Sequence, residues 1–406
     1  MYDVIVIGAG PGGASASYYL ARGGAKVLLL DKSNFPRDKT CGDGVGPRAI
    51  SVLADMGLLG RVSQKAYRAN QIGIHAPNGS KLLAQVPQQS EVVDYALVVP
   101  RLIFDNLILE GAARAGATFQ SPVHISEVAH GRDEVVVKGE AGGRSFEERG
   151  RCIVIATGAN TKLLQRTGIL AQPPRTMVAA RAYFEGVGYT TGDLEFHFDG
   201  VPLPGYGWVF PVAGGGANIG AGVYRAGPVA EAAPRTSHGV FAAFVKSIGE
   251  KRLQGASQAG PAKAFPLRID FLEAHLNGDR IFAVGEAAGL VNPLTGEGID
   301  YALESGRLAA AYLMDLLARQ AFSAQDCAGY SRALNQRFGA QFRFLTIVSK
   351  LLLNRPMLNN AIKAANVRSS YKSFLVDIAM ANRHVSSVSS AYMLAKLALG
   401  TIAWSR

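Results

Sequence analysis

The spacing Gly8-x-Gly10-x-x-Gly13 places three glycines directly after the apolar run VIVI near the amino terminus. In such a turn the first glycine makes the tight bend, the second lets a pyrophosphate approach the backbone, and the third allows close helix packing. Free N–H groups at the start of the following helix then bind the phosphate charge. These glycines are therefore predicted to form the adenine end of a dinucleotide site.

A second apolar run, KVLLLD, follows the helical pattern and ends at Asp31. A carboxylate at this strand end is placed to accept hydrogen bonds from the ribose hydroxyls of an adenosine. The combination of strand, glycine turn, helix and acidic residue argues against a chance turn, but it does not separate FAD from NAD. That choice depends on the far end of the chain.

The segment IFAVGEAAGLVNPLTGEG contains a strand that ends at Gly285 and Glu286, then a loop with Gly296 and Gly298 at the start of a helix. The Glu286 carboxylate can hold ribityl hydroxyls, and N–H groups at the helix start can stabilise the negative charge of a reduced flavin. An ordinary second strand-to-helix turn is the alternative. Two such units at opposite ends of one chain favour FAD over NAD.

The elements that must position these residues predict an α/β fold. Strand and helix patterns alternate in residues 1–70, 97–175 and 275–330, which indicates a discontinuous, Rossmann-like FAD-binding domain. Residues 71–96 and 176–274 show more period-2 alternation and Gly-rich turns, which is typical of antiparallel strands. We therefore predict that an antiparallel β-sheet substrate domain is inserted into the FAD-binding domain.

Residues 331–406 are predicted to form a basic C-terminal helical region. The net charge of the chain is +11, and this region holds eleven basic residues and one acidic residue. Its apolar runs are shorter than the roughly 20 residues that span a bilayer. The pattern favours an anionic membrane surface as a partner, with a solvated helical cap as the alternative. No RNA- or DNA-binding motif is present, so nucleic acid is not expected as a partner.

Three cysteines, Cys41, Cys152 and Cys327, are too few and too scattered for a disulfide framework or a zinc cluster. This usage favours a reduced compartment, and no metal is implied. The first strand pattern follows Met1 directly, so no secretion signal is expected. The predicted location is cytoplasmic and peripheral on the inner membrane face.

Four segments are similar to the geranylgeranyl reductase family, a branch of the FAD flavoproteins with the para-hydroxybenzoate hydroxylase fold. These segments are FPRDKTCGDG, VVPRLIFDNL, LPGYGWVFP and VGEAAGLVNPLTGEGIDYALESG. The sequence departs from the family's usual pattern at Glu286, where aspartate is common, at Thr157 and at Leu203. The resemblance implies FAD contacts at Gly12, Asp31, Cys41, Gly42, Gly44, Arg101, Glu286, Gly298 and Ile299. Arg101 would then be a fixed cation near the pyrophosphate.

Candidate catalytic residues are Tyr206, Trp208 and Cys41. Tyr206, Trp208 and Phe210 alternate along a strand and so project to one face, which suits either core packing or an apolar substrate. The resemblance implies that they line the tunnel in which an isoprenoid meets the flavin. Cys41 follows basic residues that could lower its pKa for a redox or proton-relay role, or it contacts the flavin as a small residue.

The predicted reaction is the saturation of isolated C=C bonds in a geranylgeranyl or related prenyl chain. It requires a hydride from reduced flavin N5 and a proton, for which Tyr206, Cys41 or a bound water are candidates. No second nucleotide fingerprint is present, so the electron donor is predicted to be transiently bound NAD(P)H or a protein. The first alternative is a flavin mono-oxygenase of the same fold. The second is a flavin halogenase, because Tyr-x-Trp-x-Phe-Pro resembles the halogenase motif Trp-x-Trp-x-Ile-Pro. The last is a non-enzymatic carrier.

Overall fold

The computed structural model describes residues 1–86, 93–131, 133–187, 192–224, 236–380, 390 and 392–397. The strands in these residues are β1 (Tyr2–Ile7), β2 (Val27–Leu30), β3 (Gly44–Val45), β4 (Tyr67–Ala69), β5 (Gln71–His75), β6 (Lys81–Gln85), β7 (Ala96–Val98), β8 (Thr118–Gln120), β9 (Val123–His130), β10 (Val135–Ala141), β11 (Arg144–Ile155), β12 (Thr176–Glu185), β13 (Leu194–His197), β14 (Gly205–Val212), β15 (Gly216–Tyr224), β16 (Ser257–Arg268), β17 (Asn277–Gly278) and β18 (Ile281–Ala283). The helices are α1 (Pro11–Arg22), α2 (Pro47–Asp55), α3 (Leu59–Ser63), α4 (Arg101–Arg114), α5 (Lys162–Arg166), α6 (Ser237–Arg252), α7 (Ile299–Arg319), α8 (Ala324–Leu352), α9 (Arg355–Val367) and α10 (Ser369–Ala379), with a 3-10 turn at Gly285–Ala288.

An eight-stranded sheet forms the larger core. Its main path runs β17-β18-β11-β1-β2-β8, and β9 and β10 join it through β11. The pairs from β18 through β8 are parallel, and the central strands β1 and β2 are almost wholly apolar because helices cover the sheet. Strands that are distant in sequence are therefore side by side, which brings the two predicted halves of the cofactor site to one sheet edge.

A seven-stranded sheet forms a second layer, in the order β16-β12-β15-β14-β13-β5-β6. Its strands come from residues 71–85 and 176–268, within the predicted substrate domain. The pairing is antiparallel with one exception, because β5 and β13 run parallel. The predicted α/β fold class is confirmed, and this parallel pair is a detail that period-2 patterns do not reveal. The exact domain boundaries stay a prediction.

The predicted basic C-terminal region, 331–406, contains most of α8 together with α9 and α10, and these helices pack on both sheets. A capping box fixes the beginning of α8 ahead of this region, since Ser323 and Asp326 each accept a hydrogen bond from the other's backbone N–H. Within the part of the chain that is described, no helix has the length and apolar content needed to cross a bilayer. Residues 381–389, 391 and 398–406 of the predicted region lie outside the described residues.

Candidate cofactor and substrate site

The first glycine turn joins β1 to α1 and shows three different reasons for glycine. Gly8 has a φ of 109°, and a Cβ atom there would lie 2.4 Å from the Ala156 carbonyl oxygen. A Cβ atom at Gly13 would lie 1.8 Å from the Gly8 carbonyl oxygen. At Gly10 a Cβ atom would make only an ordinary contact, with Arg37 Nη2 at 3.5 Å, so there is room beside the backbone at this position. That space is where a pyrophosphate needs to approach the backbone.

Asp31 lies at the end of β2 and is held by the turn beside it. Its Oδ2 atom accepts a hydrogen bond from the Ala9 N–H at 2.8 Å, and its Oδ1 atom accepts one from the Ser33 N–H at 2.8 Å. The residue is 7% exposed, and the exposed part lines the central cavity. Each carboxylate oxygen keeps a lone pair for a further donor, as a ribose hydroxyl would require.

The predicted flavin end surrounds the start of α7. Glu286 follows β18, and its Oε2 atom pairs with Lys39 Nζ at 2.9 Å while Oε1 accepts a hydrogen bond from the Arg268 N–H at 3.3 Å. Gly298 is the residue before α7, and Ile299 is its first residue. Both residues line the same cavity as Asp31, so the amino-terminal end of α7 adjoins the predicted cofactor space.

One cavity brings the predicted residues together. It is lined by Gly8, Gly10, Gly12, Asp31, Cys41, Gly42, Gly44, Arg101, Tyr206, Trp208, Gly285, Glu286, Gly296, Gly298 and Ile299. Gly13 is the exception among the predicted cofactor contacts, because it lies behind the turn and packs on Gly8. The residues fit an elongated dinucleotide. The start of α1 and Asp31 lie at one end of the cavity, and the start of α7 and Glu286 lie at the other. A side chain at Gly10 would occupy the space between these ends.

Arg101 forms part of a buried charged group at the cavity wall. Its Nε and Nη2 atoms bind both carboxylate oxygens of Asp105, at 2.6 and 2.8 Å, and Arg37 Nη1 lies 2.9 Å from the same carboxylate. This pairing holds both guanidinium groups in place. A fixed cation at Arg101 is therefore present, and its contact with FAD stays a prediction.

Cys41 is half-buried in the cavity wall and lies close to the Arg101 cation. Burial raises the pKa of its thiol and outweighs the lowering effect of the nearby Arg101 and Lys39. The direction is opposite to the one that the neighbouring basic residues suggested from sequence. A role as a small residue beside the flavin fits this environment better than a reactive thiolate does.

Tyr206, Trp208 and Phe210 line one face of β14, as their alternation predicts. Their ring centroids are 6.0 Å apart for Tyr206 and Trp208, and 6.4 Å for Trp208 and Phe210. Gly42 allows this contact, because a Cβ atom there would lie 3.3 Å from the Phe210 ring and 3.4 Å from Trp208 Nε1. The Tyr206 hydroxyl donates a hydrogen bond to the Thr295 carbonyl. The three rings thus form an aromatic wall between the segment at Gly42 and the loop before α7.

A buried polar network that no sequence motif indicates fixes the aromatic wall to the segment at Cys41. Asn218 accepts a hydrogen bond from Trp208 Nε1 at 2.9 Å and donates to the Cys41 carbonyl and to Asp43 Oδ2, both at 2.8 Å. The Tyr183 hydroxyl also donates to Asp43 Oδ2, at 2.6 Å. The only sequence signal was the place of Asp43 between two predicted cofactor contacts, Gly42 and Gly44.

The buried carboxyl of Asp43 gives a testable pH dependence. Burial raises its pKa to about 6, against the hydrogen bonds from Tyr183 and Asn218. The folded protein therefore binds this proton more tightly than the unfolded chain does, and the contribution to stability is lost as the pH rises through about 6. In the wild-type apoprotein this titration should lower the unfolding free energy by about 1 kcal/mol between about pH 5 and pH 7. We expect this contribution to be absent in Asp43→Asn.

Urea denaturation at the two pH values measures this difference. Asparagine tolerates the φ of 64° at position 43, so the variant should fold. Asp279→Asn changes an exposed carboxyl in the same way and should leave the pH dependence as in the wild type. An identical pH dependence for Asp43→Asn and the wild type would contradict the assignment.

Comparisons with known proteins agree with this geometry. The family model described as FAD binding domain matches residues 1–325. The menaquinone reductase of Mycolicibacterium smegmatis is 34% identical over 319 residues, which cover 76% of this chain and 75% of the relative. The digeranylgeranylglycerophospholipid reductase 1 of Methanothermobacter thermautotrophicus is 28% identical over 363 residues and 86% of each chain.

Solved structures share the same fold. A geranylgeranyl bacteriochlorophyll reductase-like protein from Thermoplasma acidophilum has a TM-score of 0.79 at 20% identity, covering 98% of this chain and 96% of that chain. The myxobacterial chondrochloren halogenase CndH has a TM-score of 0.71 at 22% identity, covering 87% and 83%. At these identities the likeness establishes the fold and leaves the reaction open.

Proposed function

Because the chain belongs to the FAD binding domain family, with the reductases above among its relatives, we propose that it saturates isolated C=C bonds of a prenyl chain. Three predictions are confirmed: the resemblance to the geranylgeranyl reductases, FAD as the cofactor, and the class of FAD-dependent oxidoreductase. The proposed substrate is a geranylgeranyl lipid or another prenyl lipid, such as a quinone with an isoprenoid tail.

The observation that carries this proposal is the joining of the cofactor site and the aromatic wall in one cavity. Residues at the flavin end, Glu286 and Gly298, line the same space as Tyr206, Trp208 and Phe210. Further apolar side chains, including Phe196 and Met177, extend this wall. An apolar chain can therefore lie against the wall while one of its double bonds reaches the flavin end.

Each part of the site has a defined task in the proposed reaction. Reduced FAD, when bound, supplies the hydride from N5 for one alkene carbon. Asp31 holds the adenosine ribose, Glu286 holds the ribityl chain, and the positive end of the α7 dipole stabilises negative charge. The aromatic wall positions the apolar chain and excludes water from the reacting atoms.

The mass of the product tests the proposal. Purified protein is incubated without oxygen, with dithionite as the reductant and a geranylgeranyl lipid as the substrate. We expect a gain of two hydrogens for every double bond that is reduced. A product that gains one oxygen, and only when oxygen is present, would instead identify a mono-oxygenase.

Mono-oxygenation and halogenation remain the competing reactions, because both use this fold. The described site favours neither of them by a feature of its own. Bromide or chloride added to an aerobic incubation distinguishes the halogenase, since only that reaction places the halogen in the product. A protein that binds prenyl lipid and leaves every alkene unchanged under reducing conditions would be a carrier.

The proposal includes an external electron donor, either transiently bound NAD(P)H or a protein. It also places the protein on the cytoplasmic side of an anionic membrane, where prenyl lipids reside. The support is a patch on α8, where Ile347 and Leu351 are 43% and 45% exposed and lie one turn apart. Exposed cations lie close to this α8 patch in the sequence, at Arg343 and Lys350 on α8 and at Arg355 at the start of α9.

Replacing both apolar residues, as Ile347→Glu with Leu351→Glu, should weaken binding to vesicles that contain phosphatidylglycerol. The loss of apolar burial and the added negative charge should lower the affinity by about tenfold or more. Co-sedimentation at low and high salt measures it, and salt should also weaken binding by the wild type. Leu102→Glu, which changes an exposed leucine on α4, serves as the control. Equal sedimentation of all three proteins would contradict the membrane proposal.

A further inference from the structure

Glu297 has a carboxyl group in the cavity wall, and none of the tasks assigned above involves it. It lies between Gly296 and Gly298, directly before α7, and it lines the cavity. Its Oε1 atom accepts a hydrogen bond from the Asp300 N–H at 2.7 Å. Among the residues that the structure describes, no lysine or arginine forms an ion pair with Glu297.

The surroundings of Glu297 favour its neutral form. Burial raises the pKa of Glu297 well above its usual range, and the neighbouring Asp300 carboxyl raises it further. Hydrogen bonds from the Asp300 and Ile299 N–H groups and the Arg48 charge lower this pKa only in part. Asp300 also lines the cavity and accepts a hydrogen bond from the Gly46 N–H at 3.0 Å, which anchors the start of α2. Burial raises the pKa of Asp300 to about 6. Two buried carboxyls at one helix start do not both ionise readily, so a proton is retained between them.

The proton donors that the sequence suggested are less suitable. Tyr206 donates its hydroxyl hydrogen to the Thr295 carbonyl, and burial raises its pKa. Burial also raises the pKa of the Cys41 thiol. A phenol and a thiol of this kind release a proton much less readily than a neutral carboxylic acid does.

Glu297 is also on the correct side of the cavity. A Cβ atom at the adjacent Gly296 would lie 3.5 Å from the Tyr206 hydroxyl and 3.7 Å from Met177 Cε, so the loop contacts the aromatic wall. On the other side of Glu297, Gly298 directly precedes α7 at the flavin end. The carboxyl thus belongs to the short segment where the apolar chain and the cofactor must meet.

We propose that Glu297 donates the proton that completes alkene reduction, an inference that rests on the proposed function. The π bond of the alkene breaks, the hydride forms a C–H bond at one carbon, and the Glu297 O–H bond breaks as the second C–H bond forms. The alkene gains two electrons, and reduced FAD, which supplies them, is oxidised. Glu297 is left as a carboxylate and takes a proton from water before the next turnover.

The test uses Glu297→Gln in the full-length holoprotein, because glutamine keeps the size of the side chain and has no acidic proton. Glu304→Gln is the matched control: Glu304 is a buried carboxyl further along α7, it pairs with Arg337, and it does not line the cavity. Both variants should bind FAD and be reduced by dithionite as the wild type is. At about pH 8, where Asp43 and Asp300 are ionised, the infrared C=O band of a neutral carboxylic acid should be lost in Glu297→Gln and kept in Glu304→Gln.

Saturation of a geranylgeranyl lipid by the pre-reduced, oxygen-free enzyme measures proton donation itself. We expect Glu297→Gln to slow this single turnover by about 100-fold, as removal of a general acid does, and Glu304→Gln to leave it near the wild-type rate. A wild-type rate in Glu297→Gln, or an unchanged infrared band, would overturn the proposal for Glu297 while the reductase function stands. A wild type that saturates no alkene would overturn the proposed function and proton donation together.

Discussion

Gly10→Val is expected to fold normally and to lose FAD. The backbone at Gly10 has a φ of −71°, which valine adopts without strain. A Cβ atom there would make an ordinary contact at 3.5 Å with Arg37 Nη2, the end of a flexible side chain. The added side chain would instead occupy the space of the cofactor's pyrophosphate. The loss of one or two phosphate hydrogen bonds, at about 1.5–3 kcal/mol each, should lower the affinity for FAD by about 100-fold.

Flavin absorbance of the purified protein and reconstitution of the apoprotein measure this effect, and the far-ultraviolet circular dichroism reports the fold. Gly60→Val is a matched control, because Gly60 lies in α3, faces open space and does not line the cavity. The control should hold FAD like the wild type. If Gly10→Val bound FAD with undiminished affinity, the adenine end of the site would not be at this turn.

The two ends of the cofactor site could be predicted from sequence because each is a local pattern. Gly8, Gly10 and Asp31 lie in a single strand-turn-helix-strand segment, so the backbone of that segment alone determines their relative positions. The same holds for Glu286 and Gly298. The meeting of the two ends follows from parallel pairing of β18, β11 and β1, which long apolar runs indicate.

The partners of Asp43 could not be predicted, because they come from strands that are far away in sequence. Tyr183 lies on β12 and Asn218 on β15, and only the register of those two strands turns both side chains towards the segment at Asp43. The parallel pairing of β5 with β13 was missed for the same reason. A period-2 pattern predicts which face a side chain occupies but not which strand lies beside it.

Cys41 and Glu297 show a related limit for ionisable groups. The basic residues near Cys41 in sequence suggest a lowered pKa for its thiol, whereas burial by distant segments raises that pKa. Glu297 resembles a solvent-exposed loop residue when only its glycine neighbours are considered. Its burial, and its closeness to Asp300 in a cavity wall, appear only once α7 is packed against α1 and α2. Desolvation is a property of the assembled fold.

Asn218→Leu is expected to cause the largest loss of stability among the substitutions proposed for the site. Asn218 is fully buried, and its amide bonds to three groups: Trp208 Nε1, the Cys41 carbonyl and Asp43 Oδ2. Leucine has a similar volume but no polar atom, so it would leave these groups without that partner. A buried polar group without its partner costs about 1–3 kcal/mol, so we expect a loss of about 3 kcal/mol or more in unfolding free energy.

Urea denaturation of the apoprotein measures this loss independently of cofactor binding. Asn335→Leu makes the same chemical change at an exposed position on α8, where the side chain donates a single hydrogen bond to the Ser331 carbonyl. It should change the unfolding free energy by no more than about 0.5 kcal/mol. Equal stabilities for the two leucine variants would contradict the network. A large difference would indicate that Asn218 joins the aromatic wall to the cofactor-binding segment at Cys41, because no other described side chain bonds both Trp208 and the Cys41 carbonyl.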